Sequence, residues 1–190
     1  MVEGKRVSKL VGILADVGEG KTALMTYILY QDYMRGNDVI ANYHLNFSRH
    51  ESAKFSYMDI DTIHKLFQDQ SNEELSNATL GLDEAHMGLD SRLALRRLNM
   101  RLGYLATQRR KRNLDIYFTS QRKFMTDIRI RSLCDYYIQI EKISNKPLSF
   151  RYRAVNPETF ESMTRWVYFT PTQKHLDMYD TNEIIAEPES

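Results

Sequence analysis

Apolar runs of strand length alternate along this chain with segments whose apolar residues recur at helical spacing. The first pair is the clearest. KLVGILA at residues 9–15 is a continuous apolar run, and KTALMTYILYQDYM at 21–34 has the pattern of a helix that ends near Gly36. This alternation is typical of an α/β fold in which helices flank a central, mostly parallel sheet.

The remaining elements follow from the same patterns. Strands are predicted at residues 38–45, 53–60, 78–85 and 114–121, and late strands at a sheet edge at 136–143, 148–155 and 165–170. Helices are predicted at residues 61–68, 91–108 and 124–135, with a polar loop at 70–77. In the helix at 91–108, one leucine stripe is expected to face the core, and it consists of Leu95, Leu98, Leu102 and Leu105.

Composition and charge limit the classes of function. The chain of 190 residues suits one domain, and its single cysteine, Cys134, excludes a disulfide framework or a multi-cysteine zinc site. No apolar run approaches the roughly 20 residues of a membrane span, so we expect a cytoplasmic protein without a transmembrane segment. The net charge of +1 hides twelve Lys or Arg against two acids between Arg92 and Arg131. That segment suits a nucleic-acid partner or a solvated helix face about equally.

The stretch LADVGEGKTALM at residues 14–25 fits the phosphate-loop pattern Gly-x-x-x-x-Gly-Lys-Thr, with Ala15 at the place of the first glycine. Gly18 and Gly20 permit the backbone to turn its amide groups towards phosphate oxygens. Lys21 is predicted to reach the β- and γ-phosphates of ATP, and Thr22 to ligate Mg²⁺. The predicted nucleotide-binding residues are Ala15, Asp16, Val17, Gly18, Glu19, Gly20, Lys21, Thr22 and Ala23.

Two adjacent acids end the apolar strand LGLDEAH, and beside a phosphate loop they indicate hydrolysis. Asp83 is placed to hold Mg²⁺, directly or through water, and Glu84 to orient and deprotonate a water that attacks the γ-phosphate. A small-molecule kinase has no need of the second acid. Gln121 ends the strand YFTSQ and is predicted to contact the γ-phosphate, because ligands bind at the carboxyl ends of strands in open α/β sheets.

The order of these motifs resembles the FtsK–HerA superfamily of DNA-pumping ATPases. The resemblance is nearest to zonular-occludens-toxin-like proteins and to small genome-packaging ATPases of viruses with internal membranes. It rests on the phosphate loop, LDEAH at 82–86, an arginine-rich helix and RRKRNLDIYFTSQR at 109–122, and it covers about residues 8–140. Arg110 matches the arginine of that pattern, Gln121 its glutamine, and Arg122 the residue that commonly follows. MYDTNEI at 178–184 also resembles the closing segment of these proteins.

The resemblance implies a RecA-like (ASCE) P-loop NTPase fold that uses ATP and Mg²⁺. We expect residues 1–144 to be the ATPase core and 145–190 to be edge strands and an acidic tail of the same domain. A homo-oligomeric ring, of six subunits, with ATP between neighbours is also implied. An arginine offered to the γ-phosphate is then expected, either in cis or in trans, with Arg110 as first candidate and Arg122 as second. Arg109 to Arg112 also suit a solvated basic turn or phosphate contacts to DNA.

Four functions compete on these observations. The leading interpretation is a motor that moves double-stranded viral DNA into a capsid, with capsid or membrane-vertex proteins as partners and an association with the virion. It is favoured because phage proteins of the toxin-like type usually carry a membrane span, and this sequence has no apolar run long enough for one. The second is a zonular-occludens-toxin-like ATPase for morphogenesis or export of single-stranded phage DNA. The third is a small nucleotide kinase, and the fourth a nucleotide-binding scaffold without turnover.

Overall fold

In the computed structural model, residues 8–48, 50–59, 62–63, 65, 75–83, 107–121, 132–145 and 147–180 are described. Its frame is one eight-stranded sheet. The strands in chain order are β1 (Leu10–Leu14), β2 (Asp38–Ala41), β3 (Phe55–Tyr57), β4 (Ala78–Leu82), β5 (Asp115–Ser120), β6 (Tyr136–Asn145), β7 (Leu148–Val155) and β8 (Val167–Phe169). Helix α1 spans Lys21–Met34, and the short helix α2 spans Gln173–Leu176.

The order of strands in the sheet is β3-β2-β4-β5-β1-β6-β7-β8. All pairs from β3 to β6 are parallel, whereas β7 and β8 are antiparallel to their neighbours. Strand β5 lies between β1 and β4, with Leu14 opposite Ser120 and Leu82 opposite Phe118. The carboxyl ends of these three strands therefore meet at one edge, which we call the carboxyl edge, and the opposite edge is the amino edge.

The central strands are continuous apolar runs because both faces of the sheet are covered. Every residue of β1, β4 and β5 is buried, which is the pattern of a parallel strand between two layers. On one face, α1 packs Leu24 and Leu29 into a cluster that includes Val11. On the other, Leu80 and Phe118 belong to a second cluster. This confirms the predicted α/β class with a mostly parallel sheet.

Helix α1 ends where the pattern predicts it. Arg35 is its C-cap, and Gly36 follows at a φ of 86°, a left-handed conformation that suits glycine. The backbone N–H of Gly36 donates to the carbonyl of Tyr33 at 2.9 Å.

Several strands are shorter than the apolar runs that predict them. β2 ends at Ala41 rather than at residue 45, and β4 ends at Leu82 rather than at residue 85. Directly after β2, Asn42 donates its backbone N–H to the carbonyl of Gly81 at 3.3 Å, and its side-chain amide pairs with the backbone of Asp83.

The prediction of three late edge strands is wrong for β6. This strand pairs in parallel with β1, so it lies directly beside the phosphate-loop strand, and of the three late strands only β8 is an outermost strand of the sheet. Residues 107–112 are helical, so helical structure is present beyond the predicted end at residue 108. The leucine stripe of that helix and most of the helices predicted at 61–68 and 124–135 lie outside the described residues. Within the described ranges, no helix is both long enough and apolar enough to cross a bilayer.

Candidate nucleotide site

The loop from Ala15 to Gly20 joins β1 to α1 at the carboxyl edge. Gly18 has a φ of 75° and Gly20 a φ of 86°, both in the left-handed region that glycine adopts without a steric penalty. Gly20 is the N-cap of α1, and its carbonyl accepts from the N–H of Leu24 at 3.0 Å. The first amide groups of α1 therefore face the loop, where a helix amino terminus favours an anion.

The side chain of Lys21 bends back across this loop. Its Nζ donates to the carbonyl of Ala15 at 3.1 Å and to that of Asp16 at 2.7 Å. Lys21 is buried, with 7% of its surface exposed. A buried ammonium held by main-chain carbonyls at the mouth of a glycine-rich loop is placed to contact the same anion as the helix terminus.

Asp83 stands directly beyond β4 and faces Thr22 across the edge. Thr22 Oγ1 donates to Asp83 Oδ2 at 2.8 Å, and Thr119 Oγ1 donates to Asp83 Oδ1 at 2.7 Å. Asp83 is only 6% exposed. Hydroxyl and carboxylate oxygens are the ligands that Mg²⁺ prefers, and this ion usually takes only one or two protein ligands beside phosphate and water. Thr22 and Asp83 therefore fit a magnesium ion that is bound together with phosphate.

Two side chains that position Asp83 escaped the sequence interpretation. Asn42 accepts from the N–H of Asp83 at 2.7 Å through Oδ1 and donates to its carbonyl at 3.0 Å through Nδ2. Thr119 is fully buried within β5. The signal for both was available, because each is a polar residue within or directly after an apolar strand run.

Gln121 lies at the carboxyl end of β5 and lines a cleft of about 600 Å³ beside the phosphate loop. The cleft is also lined by Ala15, Asp16 and Glu19 of the loop. Val17 stands at the tip of the loop and is 74% exposed, while Ala23 is buried in α1. Glu84 and Arg122 lie outside the described residues.

The hairpin of β6 and β7 also contacts the phosphate loop. The backbone N–H of Lys142 donates to Glu19 Oε2 at 2.6 Å, and Lys142 Nζ donates to the carbonyl of Gly18 at 3.3 Å. A Cβ atom at Gly20 would lie 2.4 Å from the ring of Phe150, so only glycine fits there. These contacts were missed because the late strands were expected far from the loop.

The arginine run lies at the amino edge, before β5. Arg109 is buried, and its Nη2 donates to Asp135 Oδ1 at 3.3 Å and Oδ2 at 3.2 Å. Asp135 Oδ2 also accepts from the N–H of Leu10 at 2.7 Å. The expectation that Arg109 belongs to a solvated turn or a DNA-facing patch is therefore wrong, because its side chain is buried and paired with Asp135, whose carboxylate joins the start of β6 to the start of β1.

Arg110 is exposed at the same amino edge. The six residues of β5 separate this edge from Gln121, a distance of roughly 20 Å at about 3.3 Å per residue. An arginine side chain does not span that length. Of the two alternatives for Arg110, action in cis on the phosphate loop of its own chain is thus excluded by the direction of the strand.

The chain comes back to the carboxyl edge near its end. The carbonyl of Met178 accepts from the N–H of Asn46 at 2.8 Å, and Tyr179 forms an antiparallel bridge with Leu45. Burial and, secondly, the negative charge of Asp83 raise the pKa of Tyr179 to about 12. Tyr179 thus packs close to the carboxylate of Asp83.

Together, the loop, the lysine, the paired Thr22 and Asp83 and the sheet order define a RecA-like P-loop fold. Among solved structures, the chain is similar to the N-terminal domain of zonular occludens toxin from Neisseria meningitidis. The TM-score is 0.57 at 18% sequence identity, and the match covers 91% of this chain and 99% of that domain. No protein-family model and no curated protein sequence matches. At this level of identity the similarity shows the fold.

Proposed function

We propose that the protein is a Mg²⁺-dependent ATPase that acts on DNA as an oligomer, in the manner of a zonular-occludens-toxin-like ATPase. The observation that carries the proposal is the 2.8 Å hydrogen bond between Thr22 Oγ1 and Asp83 Oδ2, beside the glycine-rich loop that holds Lys21. Two segments distant in sequence, residues 15–22 and Asp83, thereby bring an anion-binding backbone, a cation and two magnesium ligands together.

Each residue has a role that follows from its chemistry. Lys21 contacts the β- and γ-phosphates, and Thr22 and Asp83 hold the magnesium ion. When bound, magnesium neutralises the charge that develops on the phosphate oxygens during transfer. Glu84 orients the attacking water and takes its proton, and Gln121 contacts the γ-phosphate.

Arg110 is proposed to act in trans on the nucleotide of a neighbouring subunit. Its exposure and its place at the amino edge support this role, because one chain then offers its arginine at one edge and its phosphate loop at the other. Such a head-to-tail contact is heterologous and closes into a ring, here of six subunits. Arg122 is the second candidate.

The nucleic-acid partner is proposed to be single-stranded DNA. Of the two DNA-handling interpretations, morphogenesis or export of single-stranded phage DNA is favoured over genome packaging, since the structural similarity is to a zonular occludens toxin domain. The basic segment between Arg92 and Arg131 supports contacts to the DNA phosphates.

The test is steady-state ATP hydrolysis with and without long single-stranded and duplex DNA, using Glu84→Gln as the blank. Stimulation by single-stranded DNA that disappears in the blank is the expected result. Stimulation by duplex DNA alone would support the packaging motor instead. Hydrolysis indifferent to both, or phosphate transfer to a nucleoside acceptor with little hydrolysis, would overturn the proposal.

The role of Arg110 in trans has its own test. Arg110→Ala and Lys21→Ala proteins are each expected to be inactive alone. Mixed, they are expected to regain part of the hydrolysis, because an intact loop then meets an intact arginine from the neighbour. A mixture without any gain would reject Arg110 and direct the search to Arg122.

A further inference from the structure

We infer that the cleft between the phosphate loop and the β6–β7 hairpin binds the nucleoside part of ATP, with Glu141 accepting hydrogen bonds from the ribose hydroxyls. The inference rests on the proposed function, because it takes the phosphates to bind at the loop. Glu141 and Gln139 of β6 line the cleft together with Val155 and Phe160.

The orientation of the nucleotide follows from what lies on the β4 side and on the β6 side of the loop. The magnesium ligands Thr22 and Asp83 lie towards β4, so the β- and γ-phosphates belong on that side. The nucleoside is joined to the other end of the triphosphate and must leave towards β6. The cleft extends to that side, because it runs from Gln121 at the end of β5, past the loop, to Gln139 and Glu141 of β6. Its volume of about 600 Å³ is within the usual range of about 300–1,000 Å³ for small-molecule sites.

The wall of the cleft changes from polar to apolar with distance from the loop. Glu141 precedes Lys142, whose N–H and Nζ both contact the loop, so Glu141 is at the level where a ribose follows the phosphates. Val155 pairs with Tyr137, which lies four residues before Glu141 on β6 and therefore roughly 13 Å closer to the amino edge. Phe160 stacks on Tyr137 with ring centroids 5.7 Å apart. A polar sugar near the loop and a flat base beyond it match this gradient.

The polar part of the wall is held in place before any ligand binds. Arg151 donates to Glu141 Oε2 from Nε at 2.9 Å and Nη2 at 2.7 Å, and Gln139 donates to Glu141 Oε1 at 3.2 Å. Arg153 in turn donates to Gln139 Oε1, and Trp166 packs against the guanidinium groups of both arginines. This ladder orients the carboxylate, which lowers the entropy cost of binding. The remaining lone pairs of the Glu141 carboxylate can accept hydrogen bonds, which is what the hydroxyls of a ribose require.

The test compares three ligands in the presence of Mg²⁺: ATP, 2′,3′-dideoxy-ATP and inorganic tripolyphosphate. Dissociation constants are measured by competition against a fluorescent ATP analogue. We expect wild-type protein to bind ATP about tenfold more tightly than dideoxy-ATP, since hydrogen bonds to a charged group are lost in the latter. Glu141→Ala is expected to bind both equally and to bind tripolyphosphate as wild type does. The matched control is Glu158→Ala, which removes an exposed carboxylate from the turn after β7.

A second variant tests the base end of the cleft. Phe160 has a φ of 60°, so Phe160→Asn removes the ring but keeps a residue suited to that backbone. It is expected to weaken ATP and dideoxy-ATP alike, about tenfold, and to leave tripolyphosphate unchanged.

The outcomes separate this inference from the proposed function. An unchanged preference for ATP in Glu141→Ala would overturn the ribose contact, and loss of tripolyphosphate binding in that variant would show a structural role instead. Equal binding of ATP and tripolyphosphate by wild-type protein would overturn the cleft while leaving the phosphate site. Binding of none of the three ligands would overturn both.

Discussion

Each edge of the parallel sheet pairs a carboxylate with hydrogen-bond donors, but Asp83 at the carboxyl edge is buried whereas Asp135 at the amino edge is exposed. At the carboxyl edge Asp83 accepts from the neutral hydroxyls of Thr22 and Thr119. At the amino edge Asp135 accepts from the guanidinium of Arg109 and from a backbone N–H. A hydroxyl and a carboxylate can turn together to a metal ion, whereas a carboxylate paired with arginine already has its counter-charge within the chain. Asp83 and Arg109 are both buried charged side chains, so burial alone does not distinguish a candidate site from a structural ion pair.

The largest effect is expected from removing the cation of the carboxyl edge. Lys21→Ala should lower ATP turnover about a thousandfold or more and abolish tight ATP binding, because residues 15–20 of the loop contain no basic side chain to replace it. Turnover and ATP affinity are measured beside Lys9→Ala, whose side chain is exposed at the opposite edge. Turnover within tenfold of wild type in Lys21→Ala would mean that the loop is not the phosphate site.

The amino edge is expected to respond in stability rather than in ATP affinity. Arg109→Ala removes a buried side chain with its packing and its hydrogen bonds to the exposed Asp135, and it should lower the free energy of unfolding by about 2–3 kcal/mol. The neighbouring Arg110→Ala should change it by less than about 0.5 kcal/mol, because Arg110 is exposed. Chemical denaturation of both variants decides the matter. Equal losses would mean that the Arg109 pair does not tie the two strands together.

From the sequence it could be predicted that the loop, Thr22 and Asp83 meet at the carboxyl edge, because the signals for these residues are local. The loop, Thr22 and Asp83 each follow or end an apolar run, and parallel strands bring such ends together. What it did not disclose depends on contacts between distant elements. The tie from Lys142 to Glu19 joins residues 123 positions apart, and neither residue carries a pattern that names the other.

The charge pattern failed for a related reason. Arg109 and Arg110 are adjacent in a run of four basic residues, and periodicity did not tell which one turns inward. Only the direction of β5 showed that both arginines lie at the amino edge, where Arg110 is too far from the phosphate loop of its own chain to contact it. Glu84 remains a prediction from sequence, as do the helix at 91–108 and its leucine stripe.

Two glycines of the phosphate loop test whether the hairpin packs against the loop at the carboxyl edge. Gly20→Ala should lower the free energy of unfolding by about 2–3 kcal/mol, because the new Cβ meets the ring of Phe150 and the φ of 86° is strained for alanine. Gly18→Ala has a φ of 75° but no atom within 4 Å of the added Cβ, so a loss of about 1 kcal/mol is expected. Thermal and chemical unfolding of the two variants measure the difference. Equal costs would contradict the hold of the hairpin on the loop.

The smallest effect concerns Cys134, next to Asp135 at the amino edge. Burial raises the pKa of its thiol to about 12 from the ordinary value of 9.0. The folded protein therefore keeps the thiol neutral, and the stability that this provides is present below pH 9 and is lost as the pH rises towards 12. Between pH 9 and pH 10 the unfolded thiol ionises, and wild-type protein should lose about 1 kcal/mol more than Cys134→Ala does. Parallel stability curves for the two proteins over this range would mean that the thiol ionises as readily in the folded chain, and that this part of the amino edge is open to water.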